Sequence, residues 1–212
     1  MPFDSTPTER AGTGTHCAAT RLLVVRHGES EWNALRRWQG QADPPLSREG
    51  LLQAAEAGLV LGGFDAVWSS DLQRASITAS IIAEVIGIGP VLLDERLRET
   101  DVGPWQGLTH DEIEVQWPGY LAGRLRPDGF ETDDSVATRV LDSFRDIAAA
   151  SPGGEVLVVS HAGIIRSMRR HLGASDGHMP NLAGTWFEVR GDSFHVGDLV
   201  NVIGAEPTGM VL

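Results

Sequence analysis

Short apolar runs recur along the chain and predict buried strands. Residues 22–25 and 156–159 read LLVV and VLVV, and residues 66–70 and 91–93 form two further candidates, of which the last is the weakest. Runs without polar alternation are typical of strands that are covered on both faces, as in a parallel sheet.

Helical periodicity fills the intervals between these strands. Helices are predicted over residues 47–61, 76–86, 111–117, 134–150 and 162–172. Strands that alternate with helices predict an α/β layered fold with a mostly parallel sheet. Polar and apolar residues alternate over 186–190 and 194–203, which predicts an antiparallel pair at one edge.

Length, charge and cysteine content narrow the class of protein. The 212 residues, 42% of them hydrophobic, suffice for one domain, which we expect over 21–204 with flexible tails at 1–20 and 205–212. A net charge of −12 without a basic run disfavours nucleic acid and anionic membranes as partners. No apolar run reaches the roughly 20 residues of a membrane helix. The single Cys17 and the lack of a signal-peptide core in residues 1–20 favour a cytoplasmic location.

Polar residues with useful chemistry follow the predicted strands. Arg26 and His27 come directly after the first strand, and Arg74 follows the 66–70 strand. Glu99 follows the 91–93 strand, and His161 follows the 156–159 strand. Because ligands bind outside the carboxyl ends of parallel strands, we expect these five side chains to meet at one edge of the sheet.

These residue types suit phosphoryl transfer. Two guanidinium groups can hold a phosphoryl group, although sulfate or carboxylate would fit the same charges. A neutral imidazole at His27 could accept the phosphoryl group, and Glu99 could protonate the leaving oxygen and then activate water. His161 would stabilise the charge that develops during transfer.

Each residue also has an ordinary structural interpretation. A lone strand-end histidine is usually a structural residue, an isolated glutamate usually lies on the surface, and Arg74 could simply cap or solvate its helix. A metal site is disfavoured, because neither histidine belongs to an H-x-H or H-x-x-x-H pair and Arg26 abuts His27. A catalytic role for these residues therefore requires that the five side chains meet in space.

Several motifs together resemble the histidine phosphatase superfamily, in its phosphoglycerate mutase-like branch. They occur in the family's order and span most of residues 22–173. The motifs are RHGES with Trp32-Asn33, GQADPPLSREG from Gly40 to Gly50, SSDLQRASITA from Ser69 to Ala79, RLRE ending at Glu99, and VVSHAGIIR from Val158 to Arg166.

The resemblance implies a three-layer α/β/α fold and a role for each matching residue. His27 would be the phosphorylated nucleophile and Glu99 the proton donor, with Arg26, Arg74 and His161 completing the phosphate pocket. Substrate contacts would come from Asn33, Gln39, Gly40 and Ala162. No metal or other cofactor is implied. The family's Glu-Ser pair before the next helix could correspond to Glu131-Thr132 or to Asp134-Ser135.

Two departures favour a phosphatase over a mutase. Glu99 is followed by TDVG rather than by the mutases' Arg-His-Tyr-Gly-like run, and only 61 residues separate it from His161. We therefore expect hydrolysis of a small phosphorylated metabolite. The alternatives are a bisphosphoglycerate-dependent mutase, a phosphate-binding module without turnover, and a phosphoprotein phosphatase.

The segments 100–133 and 32–45 are expected to cover the site as irregular structure. Within them, four arginines could contact the substrate or be solvated: Arg36, Arg37, Arg124 and Arg126. The apolar residues of the late strands fit either a homodimer edge or the core.

Overall fold

The computed structural model describes residues 18–204. The predicted C-terminal tail 205–212 and residues 1–17 of the predicted N-terminal tail 1–20, with Cys17, lie outside the described residues. The predicted boundary at 20 is wrong, because Thr20 is buried and begins the first strand. Within the described part, one sheet has six strands in the order β3-β2-β4-β1-β5-β6. The strands are β1 (Thr20–Arg26), β2 (Ala66–Ser69), β3 (Val91–Leu93), β4 (Glu155–Ser160), β5 (Ala183–Arg190) and β6 (Ser193–Asn201).

The first four strands are parallel, as the apolar runs predict. β1 pairs with β4 in the register that places Leu22 opposite Val156 and Arg26 opposite Ser160, and β2 pairs in parallel with both β4 and β3. β5 and β6 form the predicted antiparallel edge beside β1. The prediction of a mostly parallel sheet with an antiparallel edge is confirmed.

Helices cover both faces of the sheet, which confirms the three-layer α/β/α fold. The helices are α1 (Glu31–Ala34), α2 (Arg48–Val60), α3 (Gln73–Ile86), α4 (His110–Gln116), α5 (Asp133–Ala150) and α6 (Ala162–His171). On one face, α5 and α6 pack buried residues such as Phe144 and Ile164 against Leu22 and Val158. On the other face, α2 and α3 pack against Val25 and neighbouring strand residues.

Several element boundaries differ from the sequence prediction, and β5 begins at Ala183 rather than at 186. α3 begins at Gln73 rather than at 76, because its first turn follows Leu72, which makes no side-chain cap that a sequence could reveal. α5 begins at Asp133, since the Thr132 hydroxyl accepts a hydrogen bond from the amide of Ser135 and caps the helix. α4 begins one residue early behind a cap at Thr109, and β6 covers 193–201 rather than 194–203.

The segments predicted to cover the site contain more regular structure than expected. The short helix α1 overlaps the start of segment 32–45, which was predicted to be irregular, and its first turn is closed by a capping box between Ser30 and Asn33. Segment 100–133 contains a 3₁₀ turn at Gly103–Trp105 and the helix α4. Its interior is an aromatic cluster that includes the buried Trp105 packed against Trp38 and Phe130. No helix within residues 18–204 has the length and apolar character needed to cross a membrane.

Candidate active site

The carboxyl end of β1 presents a buried histidine with one ring nitrogen already engaged. His27 is 3% exposed, and its Nδ1 lies 2.6 Å from the carbonyl oxygen of Gly28. An N–H at Nδ1 must donate there, which leaves the lone pair on Nε2. Within residues 18–204 Nε2 has no hydrogen-bond partner, yet it is not sealed from solvent, and His27 lines a large cleft. The ring is thus pinned on one side and open on the other.

A second buried histidine stands beside the first at the end of β4. The ring centroids of His27 and His161 are 5.2 Å apart, with an edge-to-face arrangement. The Nε2 atom of His161 lies 2.9 Å from the Ser70 hydroxyl oxygen. That oxygen accepts a hydrogen bond from the amide of Leu72 at 3.3 Å. The Nδ1 atom of His161 is buried with no partner among the described residues.

Two arginines reach the same cleft with part of their hydrogen-bonding capacity unused. Arg74 is fully buried and donates to the carbonyls of Ala42 at 2.6 Å and Gly40 at 2.8 Å. Arg26 donates to the carbonyl of Met179 at 2.7 Å. In both side chains Nε is buried and lacks an acceptor among residues 18–204. Buried donors without acceptors are costly, so this geometry is suited to an anion that enters the cleft.

Glu99 faces these cations from the loop after β3. Its carboxylate accepts hydrogen bonds from the amides of Thr100 at 2.8 Å and of Gly163, in the first turn of α6, at 3.1 Å. A Cβ atom at Gly163 would lie 2.9 Å from Glu99 Cδ and closer still to Oε1, so only glycine permits this approach. Glu99 and His27 thus line the same cleft from different parts of the chain, and the ring of His161 packs against that of His27.

Burial and the neighbouring cations determine the charges of the site. Burial, and then the positive charges of Arg74 and Arg26, hold the pKa of His27 well below its usual range. Burial is also the main reason why the pKa of His161 is lowered, with Arg74 and His27 adding to it. The pKa values of Arg26 and Arg74 fall to about 10, chiefly through burial, while Glu99 opposes the shift. At neutral pH both imidazoles are neutral and both guanidiniums are charged.

The residues predicted to contact substrate line the same cleft, which has a volume of about 1670 Å³. Gly40 adopts a φ of 50°, and a side chain there would clash with Val102. Gln39 is buried and accepts from the Ser30 hydroxyl at 2.9 Å, and Asn33 closes the cap of α1. Ala162 is the first residue of α6 and lines the cleft. Because both residues contact Ser30, Asn33 and Gln39 also hold the segment 30–39 in place.

Sequence reasoning missed the support that α5 gives to Glu99. Arg139 donates to the carbonyls of Arg96 at 2.6 Å, Arg98 at 2.7 Å and Glu99 at 3.2 Å. The Glu131 carboxylate holds the same guanidinium from Nε at 2.8 Å and Nη2 at 2.9 Å. Of the two candidates for the family's Glu-Ser pair, Glu131-Thr132 lies directly before α5, whereas Asp134-Ser135 lies within the helix. In the sequence, only the position of Glu131 eight residues before Arg139 indicated this pair.

A second group of supporting residues had no signal in the sequence. The Asn181 amide donates to the carbonyl of His27 at 2.9 Å, and Thr78 accepts from the amide of Gly28 at 3.1 Å. With the carbonyl of Met179 on Arg26, these contacts fix the turn that carries the histidine. Arg98, by contrast, turns to the carboxylate of Asp71 rather than into the cleft.

The fold and the site together define an α/β protein whose cleft brings His27 and Glu99 together with two buried arginines. The model of the histidine phosphatase superfamily (branch 1) matches residues 22–201, and the chain belongs to this family.

Individual relatives fall within the same family. A glucosyl-3-phosphoglycerate phosphatase from Mycolicibacterium vanbaalenii is 36% identical over 197 residues, which cover 84% of this chain and 87% of that protein. A 2,3-bisphosphoglycerate-dependent phosphoglycerate mutase from Methylobacterium radiotolerans is 34% identical over 181 residues, covering 76% of this chain and 83% of that protein. The structure of mycobacterial glucosyl-3-phosphoglycerate phosphatase with VO3 matches with a TM-score of 0.74 and 34% identity, covering 83% of this chain and 96% of that chain. The predictions of the family, of its fold and of a phosphatase of this type are confirmed.

Proposed function

We propose that the chain is a metal-independent phosphomonoesterase that hydrolyses a small phosphorylated metabolite through a phosphohistidine intermediate on His27. The observation that carries the proposal is the combination of a pinned imidazole with buried, unused guanidinium donors. His27 holds Nδ1–H on the Gly28 carbonyl, while Nε of Arg26 and of Arg74 has no acceptor within residues 18–204. A phosphoryl group between them would satisfy the donors and meet the free lone pair of Nε2.

In the first step, the Nε2 lone pair of His27 attacks phosphorus and the bond between phosphorus and the ester oxygen breaks. The leaving oxygen takes a proton from the Glu99 carboxyl group, so that a neutral alcohol departs. The low pKa of His27 keeps the ring neutral and nucleophilic near neutral pH. The Gly163 and Thr100 amides hold the carboxyl group for this transfer.

In the second step, the Glu99 carboxylate accepts a proton from water, and the water oxygen bonds to phosphorus. The bond between Nε2 and phosphorus then breaks, which releases inorganic phosphate and restores both residues. In each step, Arg26 and Arg74 stabilise the negative charge on the transferring oxygens.

His161 completes the pocket as a neutral donor. In our proposal the Ser70 hydroxyl donates to Nε2 of His161, which leaves the ring proton on Nδ1. That buried Nδ1–H has no partner within residues 18–204 and can donate to a phosphoryl oxygen. Asn33, Gln39, Gly40 and Ala162 border the same space and supply the remaining substrate contacts.

Metal independence rests on the chemistry of the side chains. The cationic groups already surround the transferring phosphoryl group, and the described residues contain no cluster of three or more His, Cys, Asp or Glu side chains that could hold a metal. The cytoplasmic location, the exclusion of nucleic acid and of membrane surfaces, and the homodimer stay predictions.

Release of inorganic phosphate tests the proposal. Purified protein should hydrolyse p-nitrophenyl phosphate and alkyl phosphates equally well with and without EDTA, and His27→Ala should lose at least about 100-fold in kcat/KM. Loss of activity in EDTA would contradict metal independence. Because a mutase is among the relatives, 3-phosphoglycerate should also be supplied with 2,3-bisphosphoglycerate. Conversion to 2-phosphoglycerate that outpaces phosphate release would replace the phosphatase with the mutase.

A further inference from the structure

Asn181 contacts two residues of the candidate site from a segment outside the helices and strands. It belongs to residues 172–182, which connect α6 to β5. Its side-chain amide donates to the main-chain carbonyl of His27 at 2.9 Å, and the same nitrogen lies 3.5 Å from Oδ1 of Asn33. Because an amide nitrogen carries two N–H groups, one side chain can serve both acceptors. Asn181 thus lies between the candidate nucleophile and a candidate substrate contact.

The contact with Asn33 determines which end of that side chain can meet a substrate. Asn33 Oδ1 also accepts a hydrogen bond from the main-chain amide of Ser30 at 3.2 Å, so both contacts engage the oxygen. Asn33 lines the cleft. With its oxygen engaged by the protein, Asn33 has its two N–H groups left to donate to a phosphoryl oxygen.

The main chain around Asn181 is tied to Arg26 as well. The Arg26 side chain donates to the carbonyl of Met179 at 2.7 Å, and the amide of Leu182 donates to the carbonyl of Arg26 at 3.1 Å. The ladder between β1 and β5 ends before Arg26, so these contacts continue the connection beyond the strands. Residues 179–182 therefore hold Arg26 and His27 at three points.

The backbone next to Asn181 is strained. Leu182 is fully buried and has a φ of 55°, and within residues 18–204 it is the only buried residue other than glycine with a positive φ. Such a conformation is rare for leucine and persists only where the surrounding structure fixes it. Leu182 lies in the same core cluster as Val25, which fixes the position of Asn181 relative to the end of β1.

We propose that Asn181 is a positioning residue that aims both the imidazole of His27 and the amide of Asn33 at the phosphoryl group. The inference rests on the proposed function, because it assigns Asn181 a role in that reaction. The carbonyl of His27 and the Gly28 carbonyl that holds Nδ1 belong to one turn, so loosening the first lets the ring move.

The loss of the N–H groups should slow phosphoryl transfer whatever the leaving group is. Asn181→Ala should reduce kcat/KM by about tenfold for p-nitrophenyl phosphate and for an alkyl phosphate alike, since the same nucleophile attacks both and a displacement below about 1 Å suffices for this loss. Changes at Glu99, by contrast, should act mainly on the alkyl phosphate.

Two further variants distinguish donation from space filling. Asn181→Asp keeps the shape of the side chain but replaces the N–H groups by an acceptor that faces two oxygens, so it should lose at least as much activity as Asn181→Ala. Greater activity in Asn181→Asp than in Asn181→Ala would overturn the positioning role. Asn201→Asp is the matched control, because Asn201 borders the same surface pocket but is exposed at the end of β6, and it should keep wild-type kcat/KM.

A double-mutant cycle tests the link to Asn33 without any turnover. Calorimetry with inorganic phosphate measures the dissociation constants of the wild-type protein, Asn181→Ala, Asn33→Ala and the double variant. Asn181→Ala should weaken phosphate binding by about fivefold alone, but by less than about twofold when Asn33 is already alanine, because the residue through which it acts is gone. A merely structural residue would weaken binding by the same factor in both backgrounds.

The outcomes separate failure of this role from failure of the proposed function. Equal factors in the two backgrounds, in a protein that releases phosphate rapidly from its esters, would overturn the positioning role and leave the hydrolase intact. Coupling between Asn181 and Asn33 in a protein that hydrolyses no phosphomonoester would retain the positioning role and refute the hydrolase. A wild-type protein that binds no phosphate would refute both.

Discussion

Gly163→Ala should separate catalysis from folding at the candidate acid. The added Cβ would lie 2.9 Å from Glu99 Cδ and 3.2 Å from Oε2. Ordinary carbon contacts begin at about 3.5 to 4.0 Å, so the carboxyl group has to move by about 1 Å. The obstructing atoms belong to the end of a flexible side chain rather than to the backbone, and Glu99 can move without disturbing the fold.

The size of the effect follows from that displacement. Misplacing a reacting group by about 1 Å can reduce the rate about 100-fold. Because proton donation matters most for basic leaving groups, kcat/KM for an alkyl phosphate should fall by about this factor, and that for p-nitrophenyl phosphate by much less. Stability should be maintained or rise, since alanine in a helix is preferred to glycine by about 1 kcal/mol.

Steady-state kinetics on the two substrates and urea denaturation measure both quantities. Gly62→Ala is the matched control, because its added Cβ would meet no atom within 4 Å. Glu99→Gln removes the proton without changing the shape and should reproduce the selectivity of Gly163→Ala. Equal losses on both substrates in Gly163→Ala would show that the displaced carboxyl group is not the acid.

Two further changes probe the support of the site and its ionisation. Arg139→Gln should reduce kcat/KM for an alkyl phosphate by more than about tenfold and for an aryl phosphate by less, because the loop that carries Glu99 loses three hydrogen bonds. Arg139→Lys should recover only part of the lost activity. Equal losses on both substrates would indicate a purely structural role for Arg139. The pKa of His161 is lowered by burial, so the unfolded chain binds its proton first and stability falls as the pH drops below about 6.5. Between about pH 6.5 and pH 5 the wild-type protein should lose about 2 kcal/mol of unfolding free energy through this histidine, and His161→Asn should not show this loss. Urea denaturation at the two pH values measures the difference. Identical losses in the wild-type protein and the variant would mean that His161 is charged in the folded state.

The pattern of apolar runs in the sequence was sufficient to predict the parallel sheet and the convergence of the two histidines and Arg74 at one of its edges. The matching runs LLVV and VLVV pair in parallel as β1 and β4, and each is followed by a histidine of the site. Strand ends of a parallel sheet share an edge whatever the loops between them do. The positions of His27, His161 and Arg74 after their strands therefore predict that the three side chains lie close together.

Contacts made by the backbone could not be predicted in this way. Arg139 acts through three carbonyl oxygens, which every residue carries, so no residue type in the loop marks the contact. Asn181 reaches the carbonyl of His27 from a segment without periodicity. α3 begins three residues before its predicted start, because Leu72 provides no side-chain cap. Left-handed backbone at Arg36 and Arg124 also left no signal, since such positions usually carry glycine or asparagine.

Trapping the intermediate tests the central claim most directly. Protein mixed with a ³²P-labelled phosphomonoester and quenched in alkali, in which phosphohistidine survives, should carry label on the peptide that contains His27. The label should disappear on exposure to acid, and Glu99→Gln should retain it for longer because activation of water is slowed. A wild-type protein that releases phosphate during turnover but never carries label on that peptide would contradict covalent catalysis by His27.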